Sequence, residues 1–452
     1  MSLLRYLPQK PTPQFLILEV DTFLKDLSLG NLLAEARYEA ALGDCPDIAP
    51  ITSIQEILAS EYGFESWDQL FQHVKLIDQV EKDIEDLRAS YHNASSTDER
   101  QIILQGHHSI KRFENLDPTE QFLSDHDARV LLANKREFAH WVKYHAYLHL
   151  VPEVQKVIEA IESNDIESLQ RILIDYQHAA NPKWVPGFTE VDDQFSNLIN
   201  DCIPLFRVSR AVFEGKIPRG KIEYEFIKLL TNFGADIEFD HGHPLTAAVS
   251  FGAQETTRTL LDFGANVDGS DEDGTPMALA IRFGQTEIIE LLVEKGAKLD
   301  MRFAAATGDL SRVKWFVNAD GSLASGAGEL TDPFKRNRSV IYPKTQQTIL
   351  SQAFLNATRF FHFDISDFLL ECGTDISAII PGLDQTGTAL HWCSYVPLNT
   401  PVKKVSTRVK YLLDNGADPL IETPNGQKAM DWANTPEIKK LLQTYAHAPP
   451  AE

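Results

Sequence analysis

Along the C-terminal two-thirds of the chain, apolar residues recur with helical rather than strand spacing, and the spacing itself repeats. Leu-Leu pairs are followed within a few residues by Gly-Ala-Asp or a close variant. The copies are Leu229-Leu230 with Gly234-Ala235-Asp236, Leu260-Leu261 with Gly264-Ala265-Asn266, Leu291-Leu292 with Gly296-Ala297-Lys298, Leu369-Leu370 with Gly373-Thr374-Asp375, and Leu412-Leu413 with Gly416-Ala417-Asp418. Self-similarity at a period of ~30–35 residues predicts a solenoid, whose units bury their apolar faces only against neighbouring units. A second phrase lies between the copies: Gly242-His243-Pro244-Leu245-Thr246-Ala247-Ala248, then Gly274-Thr275-Pro276-Met277-Ala278-Leu279-Ala280, then Gly387-Thr388-Ala389-Leu390-His391-Trp392-Cys393.

These phrases predict a helix pair per unit. Thr or its substitute caps the first helix, and Pro sits at its first position, where the missing N–H breaks no intrahelical bond. Small residues such as Ala247 and Ala248 allow close packing, and Gly252 and Gly284 end the helix in a turn. Ile288, Ile289, Leu291 and Leu292 then mark the buried stripe of a second helix. Gly264 and Gly296 stop that second helix, and the Asp/Asn-rich stretch behind them forms a projecting turn.

Read this way, residues 151–452 hold about seven units plus a C-terminal cap. They start at 154–176 and 204–236 and continue through the two clean copies, 303–320, 348–375 and 388–418, to the half-unit at 426–445. Insertions fall at 177–200, 214–223, 321–347 and 396–405. The longest, 321–347, contains the basic run Lys335-Arg336-Asn337-Arg338 and is read either as a disordered or simple spacer or as a partner contact. Residues 1–150 lack the phrase and predict a separate helical domain. There the apolar stripe Ile57, Leu58, Tyr62, Phe64, Trp67, Leu70 and Phe71 predicts a helix, a turn at Tyr62-Gly63-Phe64, an N-cap at Ser66 and a second short helix ending near Val74. An echo at Leu132-Ala133, Phe138, Trp141 and Tyr144 suggests a duplicated module around 54–75 and 128–149.

The two phrases resemble the ankyrin repeat over residues 153–445, most specifically over 242–300. The stretch from Ala59 to Trp67 is similar to a leader found ahead of the repeats in bacterial ankyrin proteins. The resemblance implies an all-α fold, an ankyrin-repeat solenoid preceded by an N-terminal helical domain. It also implies protein–protein recognition without catalysis, through a concave face and the turn tips. Phe251 and Phe283 occupy equivalent positions before the turn glycines, a site that normally faces the concave side; Ser250, Arg282 and Tyr395 stand at or near equivalent places. Such aromatics dominate binding energy once a partner covers them. Asp240, Asp271, Glu272 and Asp273 fall at turn tips and suggest a partner with a basic patch.

Composition narrows the classes. The net charge of −23 and the brevity of the two basic clusters, Lys335 to Arg338 and Lys403-Lys404 with Arg408 and Lys410, argue against nucleic acid as partner. The turn at 62–66 looks superficially like a helix-turn-helix, yet 66–74 offers no Arg or Lys to face DNA. No apolar run reaches the ~18–20 residues that span a bilayer, and nothing at the N-terminus reads as a signal peptide, so a cytoplasmic protein is expected. Cys45, Cys202, Cys372 and Cys393 show no paired spacing, and neither a metal nor a cofactor is implied.

His391-Trp392-Cys393 has the look of a nucleophile beside a base, but its place in the repeat phrase makes it structural. His107-His108 and His241/His243 read as turn residues, and Asp271-Glu272-Asp273-Gly274 lacks the remaining ligands of a calcium loop. Two other readings stay open. One is an inhibitor or immunity protein for a toxic enzyme. The other is an enzyme with activity in residues 1–150, whose histidines include His126, His140, His145 and His149 without matching a metal or nucleophile signature.

Overall fold

The structure, a computed structural model, describes all residues except 1–4, 6, 9, 47, 105–122, 137, 139–140, 185–201, 332–343, 381–385, 397–399 and 447–452. Two compact units make up the chain, Met1–Asp236 and Ile237–Glu452, and among the described residues both are built from helices. β pairing among those residues is confined to isolated bridges, Leu150 with Trp184, Val317 with Leu323 and Ile380 with Gly387.

The first unit opens with α1 (Pro13–Ser28), α2 (Leu32–Leu42), α3 (Ile51–Glu61), α4 (Trp67–Asn93), α5 (Thr97–Leu104), α6 (Asp125–Lys135) and α7 (Trp141–Leu148). Side-chain caps set several starts: Thr12 accepts from Phe15 N, Asn31 from Leu33 N, Ser66 from Gln69 N and Ser124 from Asp127 N. The Ser66 cap and the turn before it stand where the sequence puts them, with Gly63 at a left-handed φ of 78°. The helix that follows is far longer than expected. It runs 27 residues to Asn93 because its apolar stripe continues through Ile77, Val80, Ile84 and Tyr91, all buried. The turn itself recurs: Phe64 N donates to Ala59 O at 2.8 Å, and Phe138 N donates to Ala133 O at 2.9 Å, with both alanines wholly buried.

Two helix pairs complete this unit, α8 (Pro152–Glu162) with α9 (Ile166–Asp175) and α10 (Pro204–Phe213) with α11 (Lys221–Asn232). Six pairs form the second unit. They are α12 (Phe239–Ser250) with α13 (Gln254–Asp262), α14 (Thr275–Phe283) with α15 (Thr286–Glu294), α16 (Met301–Thr307) with α17 (Leu310–Trp315), α18 (Gln346–Arg359) with α19 (Phe363–Glu371), α20 (Ala389–Ser394) with α21 (Val402–Asp414), and α22 (Ala429–Trp432) with α23 (Pro436–Ala446). Successive first helices pack on one another, α12 on α14, α14 on α16, α16 on α18, and α18 on α20. Their small residues Ala304, Ala305, Ala353, Ala357 and Ala389 are buried in one core with Leu350, Leu369, Val409 and Leu412. This is the shared apolar seam that a repeat of helix pairs requires.

Two local expectations change. Thr388 caps α20 as anticipated, but Thr275 lies inside α14, and Gly274, at φ 76°, is the residue before it. Asp273 Oδ1 takes the Thr275 N–H instead, at 2.9 Å. In α12, residues 240–242 are left-handed, so the regular helix begins only after Gly242.

A recurrent side-chain acceptor ties each Gly-Ala phrase to the preceding repeat. Asn181 Oδ1 accepts from Asp236 N at 2.6 Å, Glu238 Oε1 from Asn266 N at 2.7 Å, Asp268 Oδ1 from Lys298 N at 2.8 Å, and Ser377 Oγ from Asp418 N at 3.1 Å. Each satisfies a backbone donor that a helix-terminating turn leaves without a helical partner.

The start of the long insertion is packed rather than a free spacer. Ala327 and Leu330 are buried, Met301 N donates to Ala327 O at 3.1 Å, and Ala324 N donates to Phe316 O at 2.8 Å. A buried ion pair fixes this segment. Arg302 donates to Asp300 Oδ2 through Nε (3.0 Å) and Nη2 (2.6 Å), to Gln352 Oε1 (3.0 Å) and to Leu330 O. The run Lys335 to Arg338 lies outside the described residues.

Candidate functional site

Each first helix of the second unit ends at a turn, and the residues just before these turns line up along one edge of the stack. Ends that carry an aromatic ring include Ser250-Phe251 closing α12, Arg282-Phe283 ending α14, Arg359-Phe360 closing α18 and Ser394-Tyr395 closing α20. The glycines Gly252, Gly284 and Gly308 make the turns possible, at φ values of 65°, 68° and 80°.

The sequence-derived candidates are not equivalent in the structure. Phe283 and Tyr395 are each 50% exposed, whereas Phe251 is only partly exposed. Ser250 Oγ is turned back on its own helix, donating to Thr246 O at 2.8 Å. The Arg282 guanidinium lies 5.6 Å from the Phe283 ring centroid, a cation–π contact that holds the ring outward.

Two further arginines belong to this edge and carry no signal in the repeat phrase. Arg359 reaches from the end of α18 past the short α16 to α14, donating to Ile281 O at 3.2 Å and Arg282 O at 3.3 Å. The mismatch in length explains the reach, since α18 has 14 residues and α16 has seven. Desolvation, with the neighbouring Arg408 charge as a lesser cause, pushes Arg359 down to about 10. It stays cationic at neutral pH. Arg408, buried on α21, donates to Cys393 O at 3.0 Å and Tyr395 O at 2.9 Å, which closes the end of α20 and fixes the backbone that carries the exposed tyrosine. The edge therefore exposes the Phe283 and Tyr395 rings, with Arg282 beside the first, while Arg359 and Arg408 are turned inward onto main-chain carbonyls and brace the helix ends.

The turn tips are less open than their composition suggests. Asp271 faces His241 at 3.2 Å, and Glu272 pairs with Lys298 at 2.8 Å, a hydrogen bond that holds its carboxyl below the usual range. Asp273 is spent on structure: besides Thr275 it accepts from Thr331 Oγ1 at 2.6 Å. Asp240 is partly exposed in a left-handed conformation at φ 50°.

His391 is a structural residue. Its Nδ1 faces Thr388 Oγ1 at 2.9 Å, its Nε2 meets Gln427 O of the next repeat at 3.1 Å, and burial pushes its pKa down. Cys393 is fully buried, and burial raises its thiol pKa, which disfavours the thiolate. His391→Ala is expected to cost about 1–3 kcal/mol of stability by leaving buried polar groups unmatched, read as a lower urea midpoint with an unchanged slope.

In the first unit, a cavity of about 390 Å³ is lined by Phe138, Tyr144, Tyr147, Glu162, Arg207 and Lys216, among others. Its charges answer one another, with Glu162 between Arg207 and Lys216, the latter at 2.6 Å. None of its described lining residues is a serine, cysteine or histidine. His107, His108 and His140 lie outside the described residues. No described helix is long and apolar enough to cross a membrane.

Stacked helix pairs joined by glycine turns define a helical repeat protein. Residues 219–303 match the family model for ankyrin repeats, in three copies, so that segment carries ankyrin repeats. Similar solved structures include the ankyrin repeat domain of Bcl-3, described as a unique member of the IkappaB protein family. It is 16% identical, with 64% of this chain and 97% of that one covered and a TM-score of 0.27. The human ASB11 ankyrin repeat domain is 21% identical, with 54% of this chain and 99% of that one covered and a TM-score of 0.26. No curated protein matches.

Proposed function

We propose that this protein is a non-catalytic recognition module that binds a protein partner along the edge formed by the ends of α14, α18 and α20. Ankyrin repeats are generally protein–protein interaction modules. The observation that carries the reading is the half-exposed Phe283 and Tyr395, the first beside Arg282, on helix ends that the inward-turned Arg359 and Arg408 hold in place. Aromatic and arginine side chains are the types enriched among residues that dominate binding energy, and a rigid frame lowers the entropic cost of presenting them. The turn tips Asp240, Asp271 and Glu272 add a rim that favours a partner with a basic patch.

Affinity purification of the full chain, with chemical cross-linking and quantitative mass spectrometry, tests this. Cross-links to a protein partner from residues 280–300 and 395–410 are expected. Turnover of a small substrate by the full chain, with no partner retained, would favour an enzyme. A single stoichiometric enzyme, held tightly and silenced, would narrow the role to that of an inhibitor.

A further inference from the structure

Three histidines that the recognition surface does not use converge in the N-terminal helices of the first unit. His145 and His149 sit one turn apart at the end of α7, where His149 N still donates to His145 O at 3.3 Å. Both are partly exposed. Their Nε2 atoms are 3.3 Å apart. His73, on α4, faces them, its ring centroid 5.2 Å from that of His149. It is only 5% exposed, and its Nε2 is buried without a hydrogen-bond partner.

From this arrangement we propose a transition-metal site, with zinc as the probe ion, formed by His145 and His149 and completed by His73. Two imidazole nitrogens held tetrahedrally at ~2.0–2.1 Å from one zinc ion stand about 3.3–3.4 Å apart, the separation the helical pair already has. Among the described residues no three donors surround one point as they stand, so the His73 ring has to turn toward the pair. The incentive is physical: a buried nitrogen without a partner costs stability until something accepts its lone pair or its proton. Phe64, 5.4 Å from His73, and Trp141, 5.6 Å from His145, give the site aromatic neighbours. Imidazole sets of this kind suit zinc, nickel and copper rather than magnesium or calcium.

Titration of the metal-free full chain with zinc at pH 7.5, against a chromophoric chelator, tests the site. One zinc per chain at micromolar affinity or tighter is expected. His145→Ala and His149→Ala should each weaken it at least tenfold without loss of helical signal, whereas the His241→Ala/His243→Ala control should leave it unchanged. X-ray absorption of the zinc-loaded wild type reads the third ligand without any mutation of the buried residue, and three imidazoles are expected. Absence of binding, or binding indifferent to His145 and His149, would overturn the proposal and leave the pair as a mere Nε2–H to Nε2 hydrogen bond. A spectrum with two imidazoles would remove His73 from it.

Discussion

Replacing Phe251 and Phe283 together with alanine is expected to abolish partner capture while leaving the helical content of the protein intact. The structure apportions the effect. Phe283 is half exposed and braced by Arg282, so a covering partner desolvates most of a ring that costs nothing to present. Truncating such an anchor costs ~2 kcal/mol or more, a loss of about thirtyfold in affinity for that residue alone. Phe251 is less exposed, so its single variant should lose less affinity and slightly more stability. Tyr395→Ala should weaken capture independently, because the ring is exposed while Arg408 holds its backbone in place. Surface plasmon resonance with the captured partner checks the order. Equal affinities for wild type and the double variant would remove the edge from the interface.

The largest expected effect on stability lies at the buried pair of α16. Arg302→Met should cost ~3–5 kcal/mol, because the Asp300 carboxyl would lose its guanidinium partner in a site only 3% exposed. Asp300 also caps the helix through Arg302 N at 2.9 Å and Phe303 N at 3.1 Å, so it cannot simply turn away to water. The loss extends to the neighbouring loop, since Leu330 O and Gln352 both take hydrogen bonds from Arg302. A lower urea midpoint, with faster proteolysis around 323–331, is the expected readout. An unchanged midpoint would show that the pair contributes nothing that water or repacking cannot replace.

The repeat architecture was legible because helical periodicity and turn glycines are local properties. Leu291, Leu292 and Gly296 predict a buried stripe and its stop without knowledge of any neighbour, and the structure has both. His391 was legible for the same reason: its role follows from its place in a phrase. Features that depend on distance in sequence were not. Nothing near Arg359 announces that α16 is short enough to be crossed, and nothing near Asp273 announces that Thr331, 58 residues on, uses it. Charge counting therefore overstated the free acidity of the tips. The helical spacing of His145 and His149 could have been read directly. Their meeting with His73 could not, because it depends on how α4 and α7 pack.

The central claim, recognition along the edge at the ends of α14, α18 and α20, is tested most directly by hydrogen–deuterium exchange on the full chain with and without its captured partner. Slowed exchange concentrated at 281–286, 359–362 and 394–396, with little change in residues 13–148, is predicted. Protection confined to the N-terminal helices, with the ends of the repeat helices exchanging as freely as before, would contradict it.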